Sequence, residues 1–358
     1  MKRAAVIGCG RMGAFTSAGV RDFAPACWFP LAHAEAVAQH DALDLVAMCD
    51  PSSEGLARAQ AHYGVEHGFA DHRAMLRAGP LDLITVATRT IGRAAIIADC
   101  HGSGVRALHV EKPLCNSVAE LDQVEALQAT GDLFLTYGTI RRFFPIYRHA
   151  ARLANDGSFG PLREIRASLG QGALYWTHPH AVDLILMAAA GRRVEAVQAR
   201  LGDVERERGS ATIRNDPVIE AATIWFEDGV AGHIGRAPGM DLILSCQSGE
   251  VTVLNDGHDL ALADYRGADP YPDRELVTDG FDRLEPAGTF APIRELVACL
   301  DGDRSARSAN AITRAAILAG QRILFAMVQS HLEGGRPVEI DAVDPTMRIE
   351  ARTGNNHA

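Results

Sequence analysis

Short apolar runs recur through the first 140 residues, and each stops on glycine or on a polar residue. Ala4-Ala5-Val6-Ile7 runs into Gly8-Cys9-Gly10-Arg11-Met12-Gly13, and residues 43–49 (LDLVAMC) stop at Asp50. Residues 83–87 (LITVA) stop at Thr88, residues 107–110 (ALHV) stop at Glu111-Lys112-Pro113, and residues 133–137 (LFLTY) close the series. Ala-, Glu- and Leu-rich stretches such as 53–62 and 117–130 lie between them with helical spacing. Strands apolar on both faces, alternating with helices, predict an α/β domain with a doubly wound parallel sheet of the Rossmann kind. Ligands of such sheets lie at the carboxyl ends of the strands, where the polar groups just named stand.

From about residue 160 the period changes to two. Residues 222–226 and 230–234 flank the hairpin turn Glu227-Asp228-Gly229, residues 242–246 and 251–254 flank Ser248-Gly249, and Asn255-Asp256-Gly257 begins another return. The pattern predicts a second α/β domain with an open, mainly antiparallel sheet, one helix starting near Pro179 and long helices near 291–300 and 309–332. Expected boundaries are 1–140 for the first domain, 141–340 for the second and 341–358 for a tail that frays over 352–358. The uncovered face of such a sheet commonly meets another subunit, so a homodimer or homotetramer is expected.

Composition narrows the class. A chain of 358 residues is long for one core, in keeping with two domains. Its net charge of −10 speaks against nonspecific nucleic-acid binding and against anionic membrane surfaces. Seven cysteines, at 9, 27, 49, 100, 115, 246 and 299, form no CxxC pair, so reduced thiols, a cytoplasmic location and no metal site are expected. Five residues separate Arg3 from Cys9, fewer than the roughly 7–15 of a signal core. No stretch is read as approaching the roughly 18 apolar residues of a membrane helix.

The glycines supply the first chemistry. GxGxxG is weak alone, but here it follows a strand and is expected to open a helix. Gly8 permits a tight turn, Gly10 lets the backbone approach a pyrophosphate, and Gly13 allows close packing of helix on strand. Asp50, at the end of the second strand, is placed to bond adenosine ribose hydroxyls, with a helix cap before Pro51 as the other reading. A carboxylate there repels a 2′-phosphate, which favours NAD over NADP, although Arg58 stands nearby. Asp50 lies 42 residues after Gly8, against an interval of roughly 20 in this motif. The segment DFAPACWFP at 22–30 reads as an insertion between helix and strand, either a packed surface loop or a cover for the cofactor.

Three motifs then occur in a telling order: VIGCGRMG at the start, HVEKPL at 109–114, and HAVD at 180–183, with RRFFP at 141–145 and GSFGPLREI at 157–165 in support. Together they resemble the Gfo/Idh/MocA family of dinucleotide-dependent oxidoreductases, over roughly residues 3–340. The resemblance implies a Rossmann domain followed by an α/β domain with an open sheet, acting on a sugar, sugar acid or cyclitol. It also implies that Lys112 lies beside the substrate, faced by His180 and Asp183 from the second domain. The cofactor-binding set is then Gly8, Gly10, Arg11, Met12, Gly13, Asp50, Thr88, Glu111 and Lys112.

Physical reading of the same residues agrees. Lys112 leaves a strand at the crevice, where an ammonium can stabilise developing alkoxide charge; a surface lysine in a Lys-Pro turn is the plain alternative. A cis bond before Pro113 fits there. Pro179 suits a first helical turn, and as a pre-proline residue His178 is pushed out of helical geometry. His180 and Asp183 share one helix face, and the helix dipole disfavours imidazolium at His180, which suits a base. Asp183 is expected to bind a neighbouring hydroxyl or to orient the ring. His178 is read first as a capping residue.

The sequence departs from the family pattern Asp-x-Gly-x-His-x-x-Asp, with Trp176 and His178 at its first two fixed positions. That leaves His180 as the main base, or lets His178 share the work. Where members often show Thr-Pro and then a histidine, this chain has Thr88-Arg89 and Arg93. Arg89, Arg93 and Arg142 are candidates for attracting an anionic substrate, and Tyr137, Tyr175 and Trp176 either stack on a sugar ring or belong to the core. Net dehydrogenation is the leading function. Transient oxidation by bound NAD during an epimerisation, elimination or glycoside cleavage is the alternative, and a non-catalytic NAD sensor the third.

Overall fold

The computed structural model describes residues 1–24, 26–266, 273–277 and 288–351. The chain divides into two compact units, residues 1–140 with 285–318 and residues 141–284 with 319–358. The second domain expected over 141–340 thereby yields residues 285–318 to the first unit. The fraying expected for 352–358 lies outside the described residues.

The first unit begins with β1 (Lys2–Ile7), the short helices α1 (Ala18–Phe23) and α2 (His33–Ala38), β2 (Leu43–Cys49), α3 (Ser53–Tyr63), β3 (His67–Phe69) and α4 (His72–Arg77). It continues with β4 (Leu83–Val86), α5 (Arg93–Gly102), β5 (Ala107–Val110), α6 (Val118–Ala129) and β6 (Phe134–Tyr137). All strand pairs are parallel, in the order β3-β2-β1-β4-β5-β6. The order reverses between β1 and β4, which opens a crevice at their carboxyl ends. The apolar runs read from sequence are these strands; only β3, three residues long and half exposed, escaped the hydrophobic pattern.

The second unit contains α7 (Pro145–Asn155), β7 (Leu162–Leu169), α8 (His178–Ala188), β8 (Val194–Gly202), β9 (Thr212–Ile213), β10 (Val218–Phe226) and β11 (Ala231–Gly235). There follow β12 (Met240–Cys246), β13 (Gly249–Leu254), β14 (Asp259–Arg266) and β15 (Asp273–Val277). The chain then adds α9 (Phe290–Leu300) and the first half of α10 (Arg304–Leu332) to the first unit, and the rest of α10, β16 (Val338–Glu339) and β17 (Arg348–Ile349) to the second. Nine strands form one sheet, β15-β14-β13-β12-β7-β11-β10-β8-β16, antiparallel except where β11 meets β7. The three expected hairpins pair β10 with β11, β12 with β13 and β13 with β14. α7 and α8 cover one face, and Gly232 leaves room for α8, since a Cβ there would lie 2.4 Å from Ile185 Cγ2.

α9 belongs to the first unit because its Ile293, Leu296 and Val297 complete a buried cluster with Ala4, Leu83, Ala107 and Phe134. Burying each such aliphatic side chain stabilises by roughly 1.5–3 kcal/mol. The edge strand β6 is also closed: the Asn310 side chain accepts from Leu135 N at 3.2 Å and donates to Leu135 O at 2.9 Å. α10 is, by length and composition, apolar enough to cross a membrane, which corrects the expectation that no stretch is; half of its apolar window is buried within the fold.

Candidate functional site

The glycine turn is made by backbone. Gly8 adopts φ +97°, and a Cβ on it would lie 2.8 Å from the Ala87 carbonyl carbon at the end of β4. A Cβ on Gly13 would fall 1.7 Å from Gly8 O, whereas one on Gly10 would meet nothing within 4 Å. Gly13 is therefore the packing glycine and Gly10 the open one. The amides of Gly10, Arg11 and Met12 donate to no acceptor among the described residues, a cradle suited to an anion.

The helix expected to follow is interrupted. Ala14 N donates to Gly10 O at 2.8 Å, and the helical pattern then resumes with His33 N to Met12 O and Ala34 N to Gly13 O, both at 2.8 Å. α2 thus continues the turn begun at Gly10, and residues 16–32 are an excursion from within the helix, not an insertion after it. Without those 17 residues Asp50 would stand 25 after Gly8, near the roughly 20-residue interval of the motif. The excursion is pinned at its return: Thr289 N donates to Pro30 O at 2.8 Å and Thr289 Oγ1 to Leu31 O at 2.7 Å. Phe15, at its start, lies under the Arg58 guanidinium, 4.7 Å from the ring centre.

Asp50 is tied to the turn, its Oδ2 accepting from Cys9 N at 2.7 Å and its Oδ1 from Ser52 N at 2.8 Å. A carboxylate oxygen takes more than one hydrogen bond, so this fixes its orientation without filling it. Burial, with Asp50 adding, pushes the Cys9 thiol up to about 12, and burial does the same for Cys49, so neither is a nucleophile.

At the end of β5 the turn Glu111-Lys112-Pro113 has its Lys112–Pro113 bond cis, as the sequence suggested. Lys112 is half-buried there. It is one of only two lysines in the chain, the other being Lys2, which pairs with Asp301. Arg93 does not attract a substrate, as the sequence had allowed. It is 1% exposed and donates to the backbone carbonyls of Glu111 (2.5 Å), Pro113 and Thr88, so it ties the ends of β4 and β5 together. Thr88 contributes its carbonyl to that tie, and Arg89 is exposed.

The Glu111 carboxylate turns inward. It meets His33 Nε2 at 3.2 Å and accepts from Lys112 N at 3.1 Å. Burial alone would raise its pKa, but the hydrogen bond and charge of His33, with Lys112, hold it at about 2. His109, whose ring centre is 4.7 Å from that of His33, is kept neutral mainly by burial and bonds Thr136 Oγ1 at 3.0 Å. Gly138 makes room, since a Cβ there would sit 2.9 Å from both carboxylate oxygens. His33 and Gly138 were not singled out from sequence: the excursion hides the spacing of the first, and the second only follows a strand. Tyr137 is 5% exposed, with little ring surface to offer.

In the second unit α8 starts at His178, one residue from the start expected near Pro179, so His178 lies inside the helix; Thr177 is the N-cap and its side chain makes no cap hydrogen bond. His178 is no cap either, being 0% exposed, and burial, opposed in part by the Gly172 backbone, lowers its pKa to about 4. Asp183 pairs with Arg142, its Oδ2 2.9 Å from Arg142 Nε, with each side chain about 5% exposed. The pair fixes the orientation of both groups, and a carboxylate oxygen accepts more than one hydrogen bond, so it does not by itself fill Asp183.

Tyr175 is fully buried and accepts a hydrogen bond from Gln321 at 3.1 Å, which places it in the core. Trp176, 39% exposed, and the half-buried His180 remain at the surface of this unit. Asp216, missed in the sequence, accepts from the backbone amides of Tyr175 (2.7 Å) and Trp176 (3.0 Å) and so positions both. Arg141 has its own partner, Asp256, bound through Nε at 2.5 Å and Nη2 at 3.0 Å, with Tyr147 donating to the same carboxylate. The RRFFP motif thus sends two adjacent guanidinium groups to two separate buried aspartates.

Residues 2–139 match the model of the Gfo/Idh/MocA oxidoreductase family, whose fold is an NAD-binding Rossmann fold. D-apiose dehydrogenase of Paraburkholderia graminis is 28% identical over 134 residues, 37% of this chain and 35% of that relative. The chain thus matches only about a third of that relative's length. The solved structure of an inositol dehydrogenase homologue from Azotobacter vinelandii, complexed with NADH and myo-inositol, superposes with a TM-score of 0.71 at 16% identity, covering 94% of this chain and 97% of that one. The WlbA dehydrogenase from Bordetella pertussis, complexed with NADH and UDP-GlcNAcA, gives 0.67 at 19% identity, covering 94% and 98%. At these identities the superpositions establish the fold, over both units.

Proposed function

We propose that this chain, whose residues 2–139 belong to the Gfo/Idh/MocA family of NAD-binding oxidoreductases, is an NAD-dependent dehydrogenase acting on a hydroxyl carbon of a sugar, sugar acid or cyclitol. The observation that carries the reading is the glycine turn, with three undonated amides and an open Gly10, following β1 of the same sheet whose β5 leads into the turn that carries Lys112. The similarity to D-apiose dehydrogenase supports the substrate class.

NAD, when bound, supplies the hydride acceptor. The amides of Gly10, Arg11 and Met12 would hold its pyrophosphate, and Asp50 would hold its ribose, with Arg58 the nearby group that bears on NADP. Oxidation of an alcohol requires a base to take the hydroxyl proton while the same carbon loses hydride. His180 is assigned that proton, and Lys112 the reacting oxygen, where its ammonium stabilises alkoxide charge. Trp176, exposed and four residues before His180, and Arg89 are assigned to the substrate's remaining hydroxyl or acidic groups.

The test is NADH formation across a panel of sugars, sugar acids and cyclitols. Turnover is expected with at least one, falling about a hundredfold or more in Lys112→Ala and His180→Ala while NAD still binds. Sugar conversion without net NADH would replace this reading by transient oxidation. Binding of sugar and NAD with no exchange of hydride would replace it by a sensor.

We further propose a homodimer or homotetramer formed through the sheet face opposite α7 and α8. There Thr223, His233, Arg166, Ile243 and Thr252 stand in cross-strand register. Light scattering at micromolar protein checks the mass, and a monomer would refute it.

A further inference from the structure

The Glu111 carboxylate is an expensive group to bury and has no surface to serve. It is 7% exposed and ionised, and one of its two contacts is the backbone amide of the lysine assigned to the reacting oxygen. Its other contact is His33, the first residue of α2, 0% exposed, placed there by the return of the 16–32 excursion. His33 Nδ1 and His109 Nε2 have no partner among the described residues, so the only hydrogen bond of the His33 ring goes to Glu111. A histidine committed in this way does not stabilise by packing alone; an aliphatic residue would fill the space at less cost.

We propose that His33 is a positioning residue for Lys112, holding the Glu111 carboxylate so that the carboxylate holds the Lys112 backbone. The inference rests on the role given to Lys112 above. The turn is gripped from two sides: Arg93 takes the carbonyls of Glu111 and Pro113, and the His33–Glu111 pair takes the amide between them. A lysine side chain is long and flexible, so its ammonium is only as well placed as the backbone that carries it.

Charge adds a pH signature. The groups facing the carboxylate are His33 from α2, His109 from β5, Lys112 beside it and Arg93 from α5, whereas the β6 side offers the uncharged Gly138. His109 is neutral, so His33 supplies the largest favourable interaction against burial. With His33 replaced by leucine, burial dominates and the carboxyl takes up a proton at higher pH. A neutral carboxyl is a weaker acceptor, so the grip on Lys112 should loosen as pH falls.

Because the chain has two lysines, protein labelled with 15N-lysine gives two backbone amide signals, one of them Lys112. In His33→Leu the Lys112 signal should shift from its wild-type position and gain an acid-side titration step from the Glu111 carboxyl. Turnover of His33→Leu should fall roughly 10- to 100-fold toward the acid end, with the NAD dissociation constant little changed, and His33→Gln, whose amide N–H stands in for Nε2–H, should recover most of the loss. An unshifted Lys112 signal with wild-type turnover across the range overturns the proposal. If Lys112→Ala keeps full turnover, the assignment of Lys112 fails, while the amide titration still decides whether His33 holds the turn. Should His33→Leu not fold, Glu111→Gln carries the test, and a Lys112 signal unmoved in it overturns the proposal as well.

Discussion

The glycine turn at residues 8–13 and the start of α8 at 175–183 are two ways of presenting polar groups. At the turn the donors are backbone amides, and the side chains that matter are absent ones: Gly8, Gly10 and Gly13. At α8 the polar groups are side chains, several of them buried, with Asp183 held by Arg142 and Tyr175 by Gln321. A site built from backbone writes itself into sequence as spacing, because only glycine meets its steric demands. A site built from side chains does not, since His, Asp, Arg and Tyr serve a core network and a reaction equally well.

The sharpest break in this comparison lies within the turn itself. Gly13→Ala puts a methyl group 1.7 Å from Gly8 O, a clash with backbone that no rotamer relieves. The variant should lose about 4 kcal/mol or more by urea denaturation, or fail to fold. Gly10→Ala adds a methyl group where nothing lies within 4 Å. It should melt like the wild type yet bind NAD roughly tenfold or more weakly, as fluorescence titration would read. Equal stability losses in the two variants would remove the distinction between packing and binding glycines.

Next in size is Asp183→Ala. Removing the carboxylate leaves the Arg142 guanidinium buried and unpaired from it, which costs about 3–5 kcal/mol when a buried ion pair is broken on one side. A role confined to holding a substrate hydroxyl predicts instead a raised KM and unchanged denaturation. Arg142→Met with Asp183→Leu, replacing both charges by apolar groups, should recover stability. If the double variant is no better than the single, the two residues are not a pair in energetic terms.

The strand ends of the first unit were readable because a covered parallel strand must be apolar throughout, so its limits are sharp. The excursion was not, because residues 16–32 break the helical period at a point where a helix and a loop look alike. With it went His33, whose partner Glu111 is 78 residues away, a contact no local pattern records. The membership of α9 was lost for the same reason: its apolar face fits either sheet, and only the assembled cluster with Phe134 and Leu83 decides. In the second unit the alternation of β10 to β13 fixed the hairpins. The partners of Arg141 and Arg142, by contrast, depend on a turn at Asp256 and on the inward face of α8.

His178 offers a smaller effect with a definite sign. Its pKa falls from 6.5 to about 4 on folding, so between those values the unfolded chain binds a proton that the fold refuses. Stability should decline as pH drops from about 6.5 toward 4, reaching on the order of 3 kcal/mol when both limits are passed. His178→Asn cannot bind that proton and should flatten this part of the curve, as urea midpoints at about pH 7.5 and 5 would show. An unchanged slope would mean that His178 titrates alike in both states, and would reopen its claim to share the chemistry of His180.

Tyr175→Phe is the mildest change and separates the core reading from ring stacking. It removes only the hydroxyl that accepts from Gln321 Nε2 at 3.1 Å, in a residue with no exposed surface. The Gln321 amide is then left short of an acceptor, at a cost of about 1 kcal/mol in denaturation. The aromatic ring stays, so stacking on a sugar, were it the role, would persist and could not separate wild type from variant. Tyr175→Leu does separate them. A core role predicts a further stability loss with KM for the sugar unchanged in the folded fraction, because a buried ring touches no ligand. A KM raised about tenfold at unchanged stability would instead mean that the ring swings out to meet the substrate.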